Sequence, residues 1–212
     1  MSLGAPRPFP RAVYAVAAVL AVAAGAAAWL SFGARGDRFA ACREGGSVVG
    51  ASIGGPFTLT RADGARVTDR DVIDRPTLLY FGYTHCPDFC PTDAATMAAA
   101  ADLLAERGVA INTAFVTIDP ARDTAEVVGR FAEVMHPDMI ALTGSDEDIA
   151  AAARAWRVYY AKAGTDPDYY LMDHSTFTYL AAPGVGFLDF FRHGTAPDVV
   201  ADRVACYAKA LG

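Results

Sequence analysis

Six uncharged residues, Thr77-Leu78-Leu79-Tyr80-Phe81-Gly82, run almost directly into a loop with two cysteines, Thr84-His85-Cys86-Pro87-Asp88-Phe89-Cys90-Pro91. The apolar stretch follows Pro76 and shows none of the alternation of a strand with one wet face. A short continuous run between proline and glycine reads as a strand buried on both sides. Such a strand needs partners on its edges and cover on its faces, which commits the chain to a sheet packed under helices. Pro91 suits the first position of a helix, where its missing N–H leaves nothing unpaired. Thr92 to Arg107 is rich in alanine and leucine and stops at Gly108, a favoured helix end. The cysteines therefore fall where a central strand feeds its helix.

The rest of the chain supplies the other layers. Phe57 to Thr60 and Arg66 to Thr68 flank the turn Ala62-Asp63-Gly64-Ala65 and read as a hairpin. Val109 to Ile118 reads as a strand and Asp123 to Met135 as a helix that Asp123 or Thr124 can cap. Met139 to Leu142 reads as a short strand, and Ser145 caps a helix through Trp156 with Asp148 at capping-box spacing. Thr176 to Ala182 and Gly186 to Phe191 form a hairpin around Pro183-Gly184, and Pro197 opens a last helix through Leu211. The fold class is α/β. The order of elements matches a thioredoxin-like central sheet flanked by helices, with an insertion.

An N-terminal segment stands apart. Ala12 to Ala34 holds no charged residue over 23 positions, against about 20 for a helix that crosses a bilayer. Arg7 and Arg11 precede it, Arg35 and Arg38 follow it, and Trp29 and Phe32 suit a membrane interface. A cleaved signal peptide is the alternative, but its apolar region is usually about 7–15 residues. The organisation read from this is a short cytoplasmic tail over 1–11, a single transmembrane anchor over 12–34, a connector over 35–50 and the globular domain over 51–212. A net charge of −6 and the lack of a basic run exclude nucleic acid as a partner class.

Cys86 and Cys90 can close a disulfide, attack a substrate or hold a metal. If Cys90 sits at the helix N-cap, the positive end of the dipole lowers its pKa. A thiolate serves redox chemistry and metal binding alike. Three intervening residues, rather than two, still permit a disulfide. Soft thiolates favour copper(I) and zinc, and two sulfurs need a third ligand. Of the four histidines, His85 adjoins Cys86 and is expected to point away. His136 reads as a helix cap and His193 as a surface residue in a turn. His174, in Leu171-Met172-Asp173-His174-Ser175-Thr176-Phe177, precedes a predicted strand. In a thioredoxin-like sheet the loop before that strand faces the cysteines.

Three stretches together, GYTHCPDFCP, Thr117-Ile118-Asp119-Pro120-Ala121-Arg122-Asp123-Thr124 and Asp173-His174-Ser175-Thr176-Phe177-Thr178-Tyr179-Leu180, resemble the signatures of the SCO/SenC copper-chaperone family. The resemblance covers roughly residues 47–210 plus the anchor. It implies a membrane-anchored, thioredoxin-like domain on the periplasmic or intermembrane-space side. It also implies a copper ion as the bound group and a role in assembling the dinuclear copper centre of cytochrome c oxidase subunit II. Carried over residue by residue, the implied ligands are Cys86, Cys90 and His174. A copper donor and a thiol reductant are the further partners expected, since a Cys86–Cys90 disulfide would block loading. Asp119, Arg122 and Asp123 read as capping the following helix.

Such a protein need not break a bond in a substrate, so it is expected not to be an enzyme. The alternative is a thiol–disulfide oxidoreductase that uses Cys86 and Cys90 as redox residues and reduces the acceptor's cysteines. A peroxidase is weaker still, because no cysteine lies in the threonine-and-proline setting such enzymes use. Cys42 in the connector and Cys206 in the last helix are a candidate structural disulfide in an oxidising compartment. Otherwise they are two unpaired thiols, with Cys206 buried as a small hydrophobe.

Overall fold

The structure, a computed structural model, describes residues 20–25, 37–43, 53–164, 166 and 169–212. The chain divides into two units, Met1–Ala41 and Cys42–Gly212. In the first, residues 20–25 are helical. No helix among the described residues is long and apolar enough to cross a membrane. Most of the expected anchor, all of the 1–11 tail and much of the connector lie outside the described residues.

The second unit carries a seven-stranded mixed sheet. Its strands are β1 (Thr58–Arg61), β2 (Arg66–Thr68), β3 (Thr77–Gly82), β4 (Asn112–Thr117), β5 (Ile140–Thr143), β8 (Phe177–Ala182) and β9 (Gly186–Arg192), in the order β2-β1-β5-β4-β3-β8-β9. β6 (Tyr160–Ala163) and β7 (Leu171–His174) form a separate antiparallel pair. The helices are α1 (Asp69–Val72), α2 (Phe89–Glu106), α3 (Ala125–Met135), α4 (Asp146–Ala155) and α5 (Pro197–Leu211).

β3 lies at the heart of the sheet, with all six residues buried. It runs parallel to β4 and antiparallel to β8. The antiparallel pairing has a direct consequence for the site. Tyr80 is level with Thr178, so the end of β3 that releases the cysteine loop lies beside the end of β8 that receives the chain from His174. The β1–β2 turn closes with the Arg61 N–H on the Ala65 carbonyl and the Gly64 N–H on the Arg61 carbonyl. Gly64 supplies the φ of +83° which that turn requires.

Several expected boundaries move by one to three residues, and two elements are new. α1, capped by Thr68 with Asp71 returning to the Thr68 N–H, is one. The β6–β7 pair is the other. The expected cap at Ser145, with Asp148 closing a capping box, is present. Thr124, not Asp123, caps α3 by accepting from the Val127 N–H. α2 starts at Phe89, with Asp88 as its N-cap residue. This corrects two expectations: Cys90 lies inside the first turn, and Pro91 is the third helical residue. Proline is tolerated there because the first helical N–H groups have no intrahelical acceptor.

Cys42 and Cys206 are joined as a disulfide, with Cα atoms 5.6 Å apart. It ties the residue that opens the second unit to α5.

Candidate metal centre

The site forms where β3, the first turn of α2 and the end of β7 converge. The Sγ atoms of Cys86 and Cys90 and a ring nitrogen of His174 all lie within 4.8 Å of one another. Among the described residues no other group of three or more histidine, cysteine or carboxylate side chains is gathered closely enough to hold a metal ion. His174 Nε2 is 3.4 Å from Cys90 Sγ. Its other nitrogen, Nδ1, is 2.9 Å from the Ser175 carbonyl oxygen. A carbonyl can only accept, so Nδ1 carries the proton and Nε2 turns its lone pair on the sulfurs. The ring stands edge-on to both Tyr80 and Tyr83, with interplanar angles of 90° and 88°, which fixes its plane.

The two sulfurs differ sharply. Cys90 is fully buried, whereas Cys86 lines an open groove of about 430 Å³ together with His174, Phe89, Tyr159, Leu171 and Asp173. The Cys90 N–H, in the first turn of α2, points at Cys86 Sγ from 3.4 Å. The sulfur facing the positive end of the helix is therefore that of Cys86, not Cys90 as the sequence suggested. The reason is the earlier helix start, which leaves Cys86 ahead of the first turn and turns the Cys90 side chain into the core. Hydrogen bonding from the Cys90 thiol, helped by backbone N–H groups, outweighs burial and brings the Cys86 pKa down to about 3. Cys90 moves the other way, raised by its hydrogen bond to Cys86 and by burial. Cys86 is thus a thiolate at neutral pH, and Cys90 keeps the shared proton.

The sign of this effect gives a direct test. Cys86 loses its thiolate only as pH falls towards about 3. In the reduced protein, Cys86 is expected to alkylate with iodoacetamide at nearly constant rate between about pH 5 and 8, where a free thiol of pKa about 8.5 slows roughly tenfold per unit. Peptide mass mapping of the labelled site checks this, and a rate at Cys86 that climbs tenfold per unit contradicts it. Stability follows the same sign. Over this range the unfolded chain binds a proton that the folded one does not, so the reduced fold gains stability as pH rises from about 3.

Two features around the sulfurs are invisible in the motif. A Cβ added at Gly82 would sit 2.8 Å from Cys90 Sγ and 2.7 Å from the Tyr80 ring. Glycine is needed there for space. Gly82→Ala is expected to cost about 1–3 kcal/mol through overpacking, measurable by denaturant titration, with Cys90 displaced from His174. A cost below about 0.5 kcal/mol would show that the neighbours yield freely. The second feature is a buried carboxylate under the site. Asp93 Oδ1 is 2.8 Å from His193 Nδ1, and the Phe89 ring stands edge-on against that imidazole. Burial raises the Asp93 pKa and the His193 hydrogen bond opposes it. His193 is an exposed residue in a turn, as expected, but its ring is paired with a buried carboxylate. Sequence gave no signal for this, because the partners are 100 positions apart.

The remaining histidines fall outside the centre. His85 is half-exposed, with Nδ1 3.2 Å from Thr84 Oγ1 and 3.5 Å from Asp123. His136 ends α3, where its Nδ1 accepts the Asp138 N–H and Nε2 faces Asp102. The Asp119–Asp123 stretch does not serve as a helix cap. The Asp123 carboxylate accepts the Thr84 N–H, the Thr84 hydroxyl and the Thr117 hydroxyl, at 2.9, 2.5 and 2.6 Å.

Comparison with known proteins agrees with this geometry. The SCO1/SenC family profile matches residues 47–209. Protein SenC of Rhodobacter capsulatus is 50% identical over 200 residues, which cover 94% of this chain and 90% of that protein. The mitochondrial SCO1 homolog 1 of Arabidopsis thaliana is 44% identical over 165 residues, 77% of this chain but only 49% of that longer protein. Among solved structures, Arabidopsis thaliana ScoI with copper bound superposes with a TM-score of 0.70 at 42% identity, covering 75% of this chain and 98% of that one. Bradyrhizobium japonicum ScoI with copper bound gives 0.67 at 34% identity, covering 73% and 99%. With a family profile spanning most of its length, the same fold as these solved relatives and a cysteine–cysteine–histidine cluster at the mouth of its central strand, the chain belongs to the SCO1/SenC family.

Proposed function

We propose that this protein is a copper metallochaperone, anchored by its N-terminal segment with the globular domain on the periplasmic or intermembrane-space side, which helps assemble the dinuclear copper centre of cytochrome c oxidase subunit II. The observation that carries this reading is the convergence of two sulfurs and one imidazole nitrogen within 4.8 Å. That donor set suits copper(I), a soft ion content with three ligands. Two relatives of the same fold are solved with copper bound. The ion is cargo here, so the site must take it and give it up.

The two sulfurs divide that work. Cys86, already a thiolate and facing the groove, meets the incoming ion first. Cys90 follows and gives its proton to solvent, which makes loading pH-dependent. His174 closes the set through Nε2. Release runs in reverse by ligand exchange: thiolates of the acceptor enter from the groove and displace His174, then Cys90, which takes a proton back from solvent, and last Cys86. No covalent bond of the acceptor is cleaved and no electron moves. Oxidation of Cys86 and Cys90 to a disulfide removes both sulfur ligands at once. Reloading then requires an external dithiol, which reduces that disulfide and is itself oxidised.

One observation favours a second reading as a thiol–disulfide oxidoreductase. An acidic, groove-facing Cys86 beside a buried, protonated Cys90 is also the pairing of an attacking and a resolving thiol. His174→Ala separates the two. On the chaperone reading, copper(I) affinity falls on the order of 100-fold, at the upper end of the 10–100-fold usual for losing an outer-shell partner, while reduction of a disulfide-bonded acceptor peptide survives. Copper(I) affinity within twofold of wild type, measured by competition with a chromophoric chelator, overturns the three-ligand site.

A further inference from the structure

The hairpin that carries His174 is not part of the main sheet. β6 and β7 pair only with each other in strand terms, and β6 has no fully buried residue. Beyond the short link from His174 into β8, side-chain contacts help to fix its place over the cysteines. One cluster stands out. The Tyr170 hydroxyl, immediately before β7, donates to Asp119 Oδ1 at 2.8 Å. Arg122 Nε donates to the other oxygen of Asp119 at 2.5 Å, and Nη1 donates to the Tyr170 carbonyl at 3.0 Å. The guanidinium lies 3.6 Å over the Tyr170 ring and 5.9 Å from the ring of Tyr83. Tyr83 is the residue that stands edge-on to His174. Asp119 and Tyr170 are almost wholly buried.

The same short loop grips the other half of the site. Asp123, held close to Asp119 by its N–H on the Asp119 carbonyl, binds Thr84, two residues before Cys86. A five-residue segment between β4 and α3 thus has one carboxylate on the cysteine loop and an ion pair on the histidine hairpin. The candidate ligands these two partners carry, Cys90 and His174, are 84 residues apart.

We infer that Asp119, Arg122 and Tyr170 are positioning residues that hold the β6–β7 hairpin so that His174 stands over Cys86 and Cys90. They touch neither ion nor acceptor. Their effect is to convert a two-sulfur site into a three-ligand one. This rests on the proposed copper site. The guanidinium suits the task because its planar fork binds a carboxylate and a carbonyl together while stacking on the tyrosine ring, which lysine cannot do.

The test uses the reduced full-length protein and copper(I) alone. Arg122→Gln is expected to keep the cysteines bound but lose the imidazole, seen as a drop from three-coordinate to two-coordinate copper in X-ray absorption. Affinity should fall about 10–100-fold. Tyr170→Phe, which keeps the ring and loses one hydrogen bond, should fall roughly 2–10-fold and serves if Arg122→Gln fails to fold. The decisive readout is the double variant. On a His174→Ala background, either substitution should leave copper(I) affinity unchanged, because the ligand it positions is gone. An equal loss on both backgrounds, or a three-coordinate spectrum in the single variants, overturns the inference. Failure of the wild type to bind copper(I) would instead overturn the proposed function.

Discussion

Cys90→Ala is expected to leave the reduced domain folded and to remove most of its copper(I) affinity, by a factor on the order of 100–1,000. The estimate comes from structural metal sites, where four ligands together provide about 10–16 kcal/mol, or roughly 3 kcal/mol each. Folding should survive because the change deletes one sulfur atom from a buried position, a loss on the order of 1 kcal/mol, like other small core deletions. The variant has a second signature. Its Cys86 loses the hydrogen bond that contributes most to its low pKa, so thiol labelling at pH 5 should slow markedly. Chelator competition reads the affinity, circular dichroism reads the fold, and iodoacetamide kinetics read the thiol. A folded variant that holds copper(I) within about threefold of wild type would locate the ion elsewhere.

Removing the Cys42–Cys206 bridge through a double substitution to alanine is expected to be the largest single blow to stability. The bond closes a loop of 164 residues. The chain-entropy estimate for such a loop is about 5 kcal/mol, and measured effects usually reach about 2–4 kcal/mol. For a domain of this size that corresponds to a fall in Tm of roughly 5–15 °C. Copper(I) affinity should not change, since neither cysteine lies near the site residues in the sequence or takes part in the cluster. The two cysteine pairs can therefore be told apart under graded reductant: one governs loading, the other melting. A thermal scan of the double variant within about 2 °C of wild type contradicts the expected stabilisation.

The sequence was informative wherever the determinant was local. A six-residue uncharged run between proline and glycine reads as an interior strand, and Thr77–Gly82 is buried throughout. The Ser145–Asp148 capping box, the Gly64 turn and the proline-opened last helix depend on neighbours within a few positions. All three candidate ligands could be singled out, because strand–loop–helix geometry locates the cysteines and the strand after His174 locates the histidine. The β6–β7 pair escaped notice, since short, half-exposed strands carry no clean periodicity.

By itself, then, the chain's sequence singled out the three candidate ligands and the sheet on which they are mounted. Tertiary structure decided how those residues differ. It set the start of α2 at Phe89, and with it which of two buried sulfurs is acidic and lines the groove and which is wholly enclosed. It paired His193 with Asp93, required glycine at position 82, and drew Asp119, Arg122 and Asp123 away from helix capping into a brace between two distant loops. The physical reason is common to all of these. Acidity, close approach and hydrogen bonding depend on a few ångströms of separation between groups tens of residues apart, and spacing along a chain does not encode that distance.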